Sequence, residues 1–293
     1  MRAIVAFNRR ISTGYRYLGL SAPGFPGVFR AGQFVMVRPP WASDPFLPRA
    51  FSIYRISGPG GAPSPDGPAP VVEILYKVLG KGTQHLARME PGQEVDLLGP
   101  LGNSFTHPAG EEVAVLVAGG IGVPPIAALA AELAKRCQAP APAPQPLAPA
   151  VEVFLGGKTS EDILCVKDFE EAGAKIHITT EDDSLGTRGL ITDLLEPFLV
   201  SHQGLRSSSP TAPSSRLPAP VTLYTCGPPG MLAAVARLAA EWRTACQVSV
   251  EANMACGFGA CMGCAVEVRD EARRYKLVCK DGPVFDSREI VWK

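Results

Sequence analysis

Cys256, Cys261 and Cys264 stand at C-x4-C-x2-C inside "EANMACGFGACMGCAVEV", and Cys279 follows in "KLVCKDG" after fourteen intervening residues. Thiolates gathered in this way hold metal. A cluster needs sulfur ligands converging from one side; one loop supplies three, and the fourth arrives from another segment. The spacing is that of a plant-type [2Fe–2S] site. Gly257, Gly259 and Gly263 let such a loop take positive φ and bring its backbone close to a cluster. Amide N–H groups aimed at the sulfurs then raise the reduction potential. Structural zinc is the competing use of four thiols, but it favours two close pairs across a long gap over three bunched ligands and a single one. A [2Fe–2S] centre passes one electron at a time and makes no bonds, so it requires a donor and an acceptor.

The chain of 293 residues that carries this loop exceeds one ordinary core, which implies two or three domains. Its formal net charge of zero argues against a nucleic-acid partner. "MRAIVAFNRRIST" is not a secretory signal, since its apolar run is short and arginines follow. A reducing, cytoplasmic setting is expected, where eight cysteines point to metal or redox work and not to disulfides. Residues 113–131 carry no charge and approach the length of a membrane span, but "GGIGVPP" in their middle breaks a helix. No membrane span is expected.

Three stretches rich in Ala, Pro and Ser, 58–70, 139–150 and 207–220, read as solvent loops. Before residue 105 the chain shows closely spaced β-rich segments: "AIVAFNRRI", "YRYLGLSA", "QFVMVRP", "AFSIYRIS", "VVEILYKV" and "QEVDLLGP". They suit a small antiparallel barrel. From about 111, apolar strands ("VAVLVA", "VEVFLGG", "KIHITTED", "VTLYTCG") alternate with helix-like stretches, the pattern of a parallel sheet with helices on its faces. The expected fold class is β plus α/β, in three domains: a barrel over 1–105, a Rossmann-like domain over 106–246 and a small cluster domain over 247–293. The last is too short to fold well on its own core, so a bound metal centre would help it.

Other motifs are weaker singly. In "PRAFSIYR", Arg49 offers a fork of donors for a diphosphate and Ser52 follows it by three; a surface arginine beside a core Phe51 is the alternative. "GKGTQHL" is a Gly-rich turn entering a short helix, a plausible anion site. "VAVLVAGGIGVPPIAAL" ends a strand at Gly119 and Gly120 and opens a helix at Gly122 with Pro124 or Pro125 in its first turn. That sets amide groups at the C-terminal edge of a parallel sheet, where nucleotides bind. "LYTCGPPGM" repeats the arrangement; plain strand–turn–helix packing is the alternative for either loop alone. "GGKTS" is not a P-loop, because Glu152 stands where the first glycine belongs. Asp193 and Glu196 read as a solvated helix face.

The order R-x-F-S, G-x-G-T, GGIGVPP, CGPPGM and cluster loop resembles the ferredoxin–NADP reductase superfamily. Within it the resemblance is nearest to the electron-transfer subunits of NAD-dependent (type B) dihydroorotate dehydrogenases, and "MACGFGACMGCAV…YKLVCKDGPVF" is its most telling part. "TTEDDSLGTRGLITDLL" also looks like that family, with Asp183 where a glycine is expected. The resemblance implies FAD held by Arg49, Ala50, Phe51 and Ser52, with Arg49 on the diphosphate and Ser52 near the flavin ring. It implies Leu75, Tyr76 and Lys77 lining the flavin, and Gly82 and Thr83 on phosphate. Gly119, Gly120, Gly122, Pro124, Cys226, Gly227 and Pro228 would bind NAD, with Cys226 near the nicotinamide. Cys256, Cys261, Cys264 and Cys279 would ligate the [2Fe–2S] cluster. No side chain is expected to be catalytic, since the chain relays electrons through its cofactors.

The similar family pairs this subunit with an FMN-containing catalytic subunit, two of each in a heterotetramer, that oxidises dihydroorotate in pyrimidine biosynthesis. The partner is expected to cover the cluster loop around Phe258 and Met262. Two rivals remain. One is the flavin and iron–sulfur subunit of a NAD(P)H:ferredoxin oxidoreductase or sulfhydrogenase, in which the first cluster ligand is often an aspartate where this chain has Cys256. The other is a zinc-stabilised, non-catalytic binding protein.

Overall fold

The computed structural model describes residues 1–39, 44, 46–58, 69–107, 113–138, 150–207 and 220–292. Nearly all of the three Ala/Pro/Ser-rich stretches lies outside these residues. Two compact units emerge, Met1–Phe105 with Val250–Val284, and Thr106–Ser249 with Phe285–Lys293.

The first unit holds β1 (Arg2–Ser12), β2 (Tyr15–Ser21), β3 (Phe34–Arg38), β4 (Arg49–Ser52), β5 (Arg55–Ser57), β6 (Val71–Lys77), α1 (Lys81–Ala87) and β7 (Glu94–Leu101). The six β-rich segments of the sequence thus give seven strands, because "AFSIYRIS" breaks at Ile53 and Tyr54. The break closes the sheet. Strand order is β4-β3-β7-β1-β2-β6-β5, so β4 and β5, two residues apart in the chain, occupy opposite ends of the ladder. Ile53 N–H donates to Gln33 O beside β3, and Tyr54 N–H donates to Glu73 O on β6. Only a sheet curled into a barrel allows this. Alternate residues of the strands fill its interior: Val5, Leu18, Leu20, Val35, Val37, Val72, Ile74, Tyr76, Val95 and Leu97 form one buried cluster with Ile53 and Phe25. This alternation is what binary patterning dictates for a one-sided sheet.

The second unit carries β8 (Val113–Gly119), a 3-10 turn over Gly120–Gly122, α2 (Val123–Gln138), β9 (Val151–Gly157), α3 (Val166–Glu171), β10 (Lys175–Thr180), β11 (Thr187–Arg188), α4 (Thr192–Ser207), β12 (Val221–Cys226), α5 (Pro229–Glu241) and β13 (Ala245–Ser249). β14 (Ala265–Glu267) and β15 (Tyr275–Leu277) form a separate antiparallel pair within the cluster segment. β16 (Val284–Asp286) completes the larger sheet, whose order is β11-β10-β9-β8-β12-β13-β16. Every residue of β8 and of β12 is buried, as expected of central parallel strands covered on both faces. β11, β13 and β16 are short strands that the sequence does not announce. Among the described residues no helix is long and apolar enough to cross a membrane.

The chain runs from β8 outward through β9 and β10, then returns to β12 on the other side of β8. The order therefore reverses between β8 and β12. In an open parallel sheet, a ligand crevice forms at that point, outside the carboxyl ends of the strands.

Candidate redox site

The cluster segment places its four thiols in two pairs. Cys256 lies with Cys261 and Cys264 with Cys279, and Cys279 is within electrostatic reach of Cys256. Amide groups point at the sulfurs: Cys261 N–H donates to Cys256 Sγ at 3.5 Å, Gly263 N–H to Cys261 Sγ at 3.5 Å and Cys279 N–H to Cys264 Sγ at 3.4 Å. Desolvation acts to raise the Cys256 thiol, but amide donors from Cys261, Phe258 and Ala260 and the Cys261 side chain overcome it and hold the thiol down at about 6. Burial, followed by the neighbouring Cys264, pushes Cys279 up to about 12. Cys264 and Cys279 are buried, Cys256 is half-buried and Cys261 is exposed.

Two pairs of thiols suit a two-iron centre, which takes two ligands on each iron. Four thiolates with amide groups aimed at three of the sulfurs are a donor set that fits a [2Fe–2S] group. Gly257 and Gly259 adopt φ of 82° and 92° as the sequence predicts, but the third left-handed residue is Met262 (φ 59°) and not Gly263. With Met262 turned in that way, Gly263 N–H is the one that reaches Cys261. Phe258 and Met262 are 59% and 61% exposed.

The barrel holds a shallow recess, open to solvent and lined by Val37, Pro39, Leu47, Arg49, Phe51, Gly82, His85 and Leu86. Arg49 on β4 and Gly82 on α1 therefore meet. Arg49 Nη1 donates to Leu47 O at 2.7 Å, and its guanidinium covers Gly82 so closely that a Cβ there would stand 2.7 Å from Nε. A fork of donors beside a glycine, at the mouth of a recess, is a fitting cradle for a diphosphate. The Thr83 hydroxyl is engaged otherwise: it accepts from Leu79 N–H at 2.9 Å and Gly80 N–H at 3.1 Å, tightening the turn into α1.

β6 separates its three expected residues. Tyr76 points into the barrel core, 5.6 Å from the Phe51 ring centre. Leu75 and Lys77 take the other face, with Lys77 Nζ 4.7 Å from the centre of the Tyr15 ring. Sequence reasoning missed Asn8. Its Nδ2 donates to Leu86 O (2.8 Å) and Met89 O (2.9 Å) at the end of α1, and its Oδ1 accepts from Arg16 Nε (3.1 Å) and Tyr76 Oη (3.3 Å). One amide thus ties the helix of Gly82 to the strand of Tyr76. An Asn inside a β-rich run, where that residue is disfavoured, was the available signal.

In the second unit, the loops after β8 and β12 interlock. A Cβ on Gly122 would stand 2.4 Å from Cys226 O, and one on Gly227 would stand 3.1 Å from Gly119 N and 2.5 Å from Met231 Cε. A Cβ on Gly119 would likewise stand 2.6 Å from Met231 Sδ and 3.0 Å from Pro228 Cδ. Gly120 is left-handed, at φ 51°. Pro124 lies in the first turn of α2, and Pro228 precedes α5 with Pro229 in its first turn. The expected nucleotide residues are therefore assembled side by side at the switch point, and Cys226 is 1% exposed. The local geometry agrees that "GGKTS" is not a P-loop, because Asp162 Oδ2 already takes Lys158 N–H (3.1 Å) and Thr159 N–H (3.3 Å). Asp193 does more than face solvent: its Oδ2 accepts Leu190 N–H at 2.8 Å ahead of α4. Cys246 is a buried core thiol, whereas Cys165 is half-buried and left-handed at φ 60°.

Comparison with known proteins follows the same lines. Residues 251–291 match the family described as the iron–sulfur cluster binding domain of dihydroorotate dehydrogenase B. The chain is 36% identical over 280 residues to the "Dihydroorotate dehydrogenase B (NAD(+)), electron transfer subunit" of Desulforamulus reducens, covering 94% of this chain and 92% of that protein. It is 35% identical over 293 residues to the Bacillus caldolyticus protein of the same name, covering 99% and 98%. Among solved structures, the NADH-dependent reduced ferredoxin-NADP oxidoreductase has a similar fold, with TM-score 0.72, 22% identity and coverage of 99% of this chain and 90% of that one. The ferredoxin reductase of carbazole 1,9a-dioxygenase gives TM-score 0.61 at 20% identity, covering 83% and 66%.

Proposed function

The chain belongs to the family of electron transfer subunits of NAD(+)-dependent dihydroorotate dehydrogenase B, and from that footing we propose how its own residues serve the relay. Cys256, Cys261, Cys264 and Cys279 hold a [2Fe–2S] cluster. Arg49 and Gly82 hold the diphosphate of FAD, with Ala50, Phe51, Ser52, Leu75, Tyr76, Lys77 and Thr83 shaping the rest of that site. Gly119, Gly120, Gly122, Pro124, Cys226, Gly227 and Pro228 hold NAD. The observation that carries this reading is the set of amide donors aimed at the sulfurs of Cys256, Cys261 and Cys264.

When bound, FAD supplies exchange between a two-electron hydride and single electrons, and the cluster supplies single-electron transfer. The chain's residues bind and orient. The Arg49 fork fixes the diphosphate end, the interlocked glycines let backbone approach the nucleotide, and the amides of Cys261, Gly263 and Cys279 stabilise charge on the cluster sulfurs. In the partner, dihydroorotate gives up two electrons and two protons to become orotate. NAD+ takes the two electrons and one proton as NADH, and one proton goes to solvent. The partner is an FMN-containing catalytic subunit, docked over Phe258 and Met262 in a cytoplasmic assembly of two chains of each kind. Residues 1–105, 106–246 and 247–293 serve as flavin, nucleotide and cluster modules.

The ferredoxin-oxidoreductase alternative is supported only at the level of fold, and Cys256 stands where that group often has an aspartate. The zinc alternative is disfavoured by ligand spacing, three of the thiols being bunched and one single, and by the match of residues 251–291 to an iron–sulfur cluster binding domain. Anaerobically purified protein is expected to show flavin and cluster absorption with about two irons and two acid-labile sulfides per chain. Colourless protein with zinc and no sulfide would overturn the reading, and a pull-down from the host identifies the partner.

A further inference from the structure

β3 is buried along both faces: Phe34, Val35, Met36 and Val37 are all at most 3% exposed. Val35 and Val37 belong to the barrel core, so Phe34 and Met36 face outward, and the cluster segment covers them. A Cβ on Gly257 would stand 2.5 Å from Met36 Cγ, 3.0 Å from its Sδ and 3.2 Å from Leu101 Cδ1. A Cβ on Gly102 would stand 2.9 Å from the Phe34 ring and 2.6 Å from Pro283 Cδ. Gly257 directly follows Cys256, so the thioether of Met36 is seated under the first turn of the cysteine loop.

The other edge of β3 pairs with β4. Val37 opposes Arg49, Met36 opposes Ala50, Val35 opposes Phe51 and Phe34 opposes Ser52. Directly opposed residues share a face of a sheet. Arg49 and Phe51 therefore take the face of the recess, and Ala50 and Ser52 take the face of Met36 and the cysteine loop. One four-residue strand is divided between a diphosphate side and a cluster side.

We propose that Met36 is a positioning residue for electron exchange: its side chain fixes the distance between the cysteine loop and the Ala50–Ser52 face of the flavin-binding strand. This rests on the function proposed above. A methionine suits the place, being long enough to fill the gap under a glycine and soft enough to follow a loop of irregular shape. Leu101 supports the same contact from β7.

The test uses the full chain carrying flavin and cluster, mixed with NADH in a stopped-flow spectrometer. Met36→Ala is expected to leave bleaching of the flavin band within about twofold of wild type. It should slow bleaching of the cluster band by about tenfold or more, the penalty typical of a small misplacement, and should speed loss of iron to a chelator. Met36→Leu conserves volume and should restore both. Gly257→Ala should slow the cluster band by itself, and adding Met36→Ala, which vacates the space the new Cβ needs, should recover part of the rate. Met36→Ala with full iron and sulfide, wild-type cluster bleaching and wild-type chelation overturns the proposal. If Met36→Ala does not fold, Gly257→Ala alone, which drives a Cβ against the Met36 side chain, decides it: full iron and sulfide with wild-type cluster bleaching and wild-type chelation overturns the proposal equally. Wild-type protein lacking either absorption band refutes instead the function on which the proposal rests.

Discussion

The guanidinium of Arg49 lies across the Cα of Gly82: a Cβ there would stand 2.7 Å from Nε, 3.0 Å from Cζ and 3.1 Å from Nη2. Residues 33 positions apart are thus joined at the mouth of the barrel recess. The glycine is required by proximity and not by φ, and no side chain can be added without displacing the cation. Gly82→Ala is expected to weaken FAD binding about tenfold, the worth of one charge-assisted hydrogen bond, with little change in the melting temperature of the flavin-free protein. Fluorescence titration of the flavin-free chain measures it. Arg49→Lys should weaken binding similarly, because an ammonium lacks the two-pronged geometry. Unaltered affinity in both would remove Arg49 and Gly82 from the site.

Much of this was legible in the sequence because the signals are local. The cysteine spacing, the glycine-ended strands and the shift from barrel to α/β texture all lie within short windows. The barrel's closure was not, since it depends on Ile53 and Tyr54 bonding to opposite ends of the sheet, which no window contains. β3 shows the same limit. "FVMVR" has the unbroken apolar run of a strand buried on both faces, but only the fold reveals that a distant cysteine loop is what covers the second face. Asn8 escaped because its four partners come from three elements. Met262 took the left-handed position expected of Gly263, since a loop's turn is set by where its amides must point.

Asp183 is the position at which the family resemblance leads one to expect glycine, and its backbone is left-handed at φ 67°. Aspartate tolerates that region better than most residues, though less well than glycine. Asp183→Gly should raise the melting temperature by about 1–2 °C, the relief of strain being offset in part by the entropy of a more flexible unfolded chain. Differential scanning fluorimetry decides it, and a fall in melting temperature would show that the aspartate carboxylate contributes more than its φ costs.

Tyr76 links stability to alkaline pH. Burial raises its phenol from 10.0 to about 12, against the lowering influence of the Arg16 charge. A group whose pKa is higher in the folded state contributes stability that is complete below the unfolded value and lost as pH rises through the folded one. That window runs from 10.0 to about 12. Tyr76→Phe should lower the melting temperature at pH 8 by about 2–3 °C, for the hydrogen bond to Asn8, yet decline less steeply than wild type over the alkaline window. Parallel melting curves for the two proteins would show the tyrosine to be irrelevant there.

Cys279 provides the sharpest division of the relay into parts. It is 3% exposed, its N–H donates to Cys264 Sγ at 3.4 Å, and it arrives from outside the loop that carries the other three thiols. Cys279→Ser therefore alters one pair while leaving the barrel recess and the switch-point loops untouched. Reduction of an artificial dye by NADH needs only the nucleotide and flavin sites and should persist within about twofold. Orotate formation by the complex with its catalytic partner needs passage through the cluster and should fall by at least about a hundredfold, the upper range for disturbing a metal site. Iron and sulfide content should fall with it. Dye reduction and orotate formation declining together would mean that the cysteine supports the whole unit's structure, whereas orotate formation surviving without iron would mean that electrons bypass the cluster and that the paired thiols have another task.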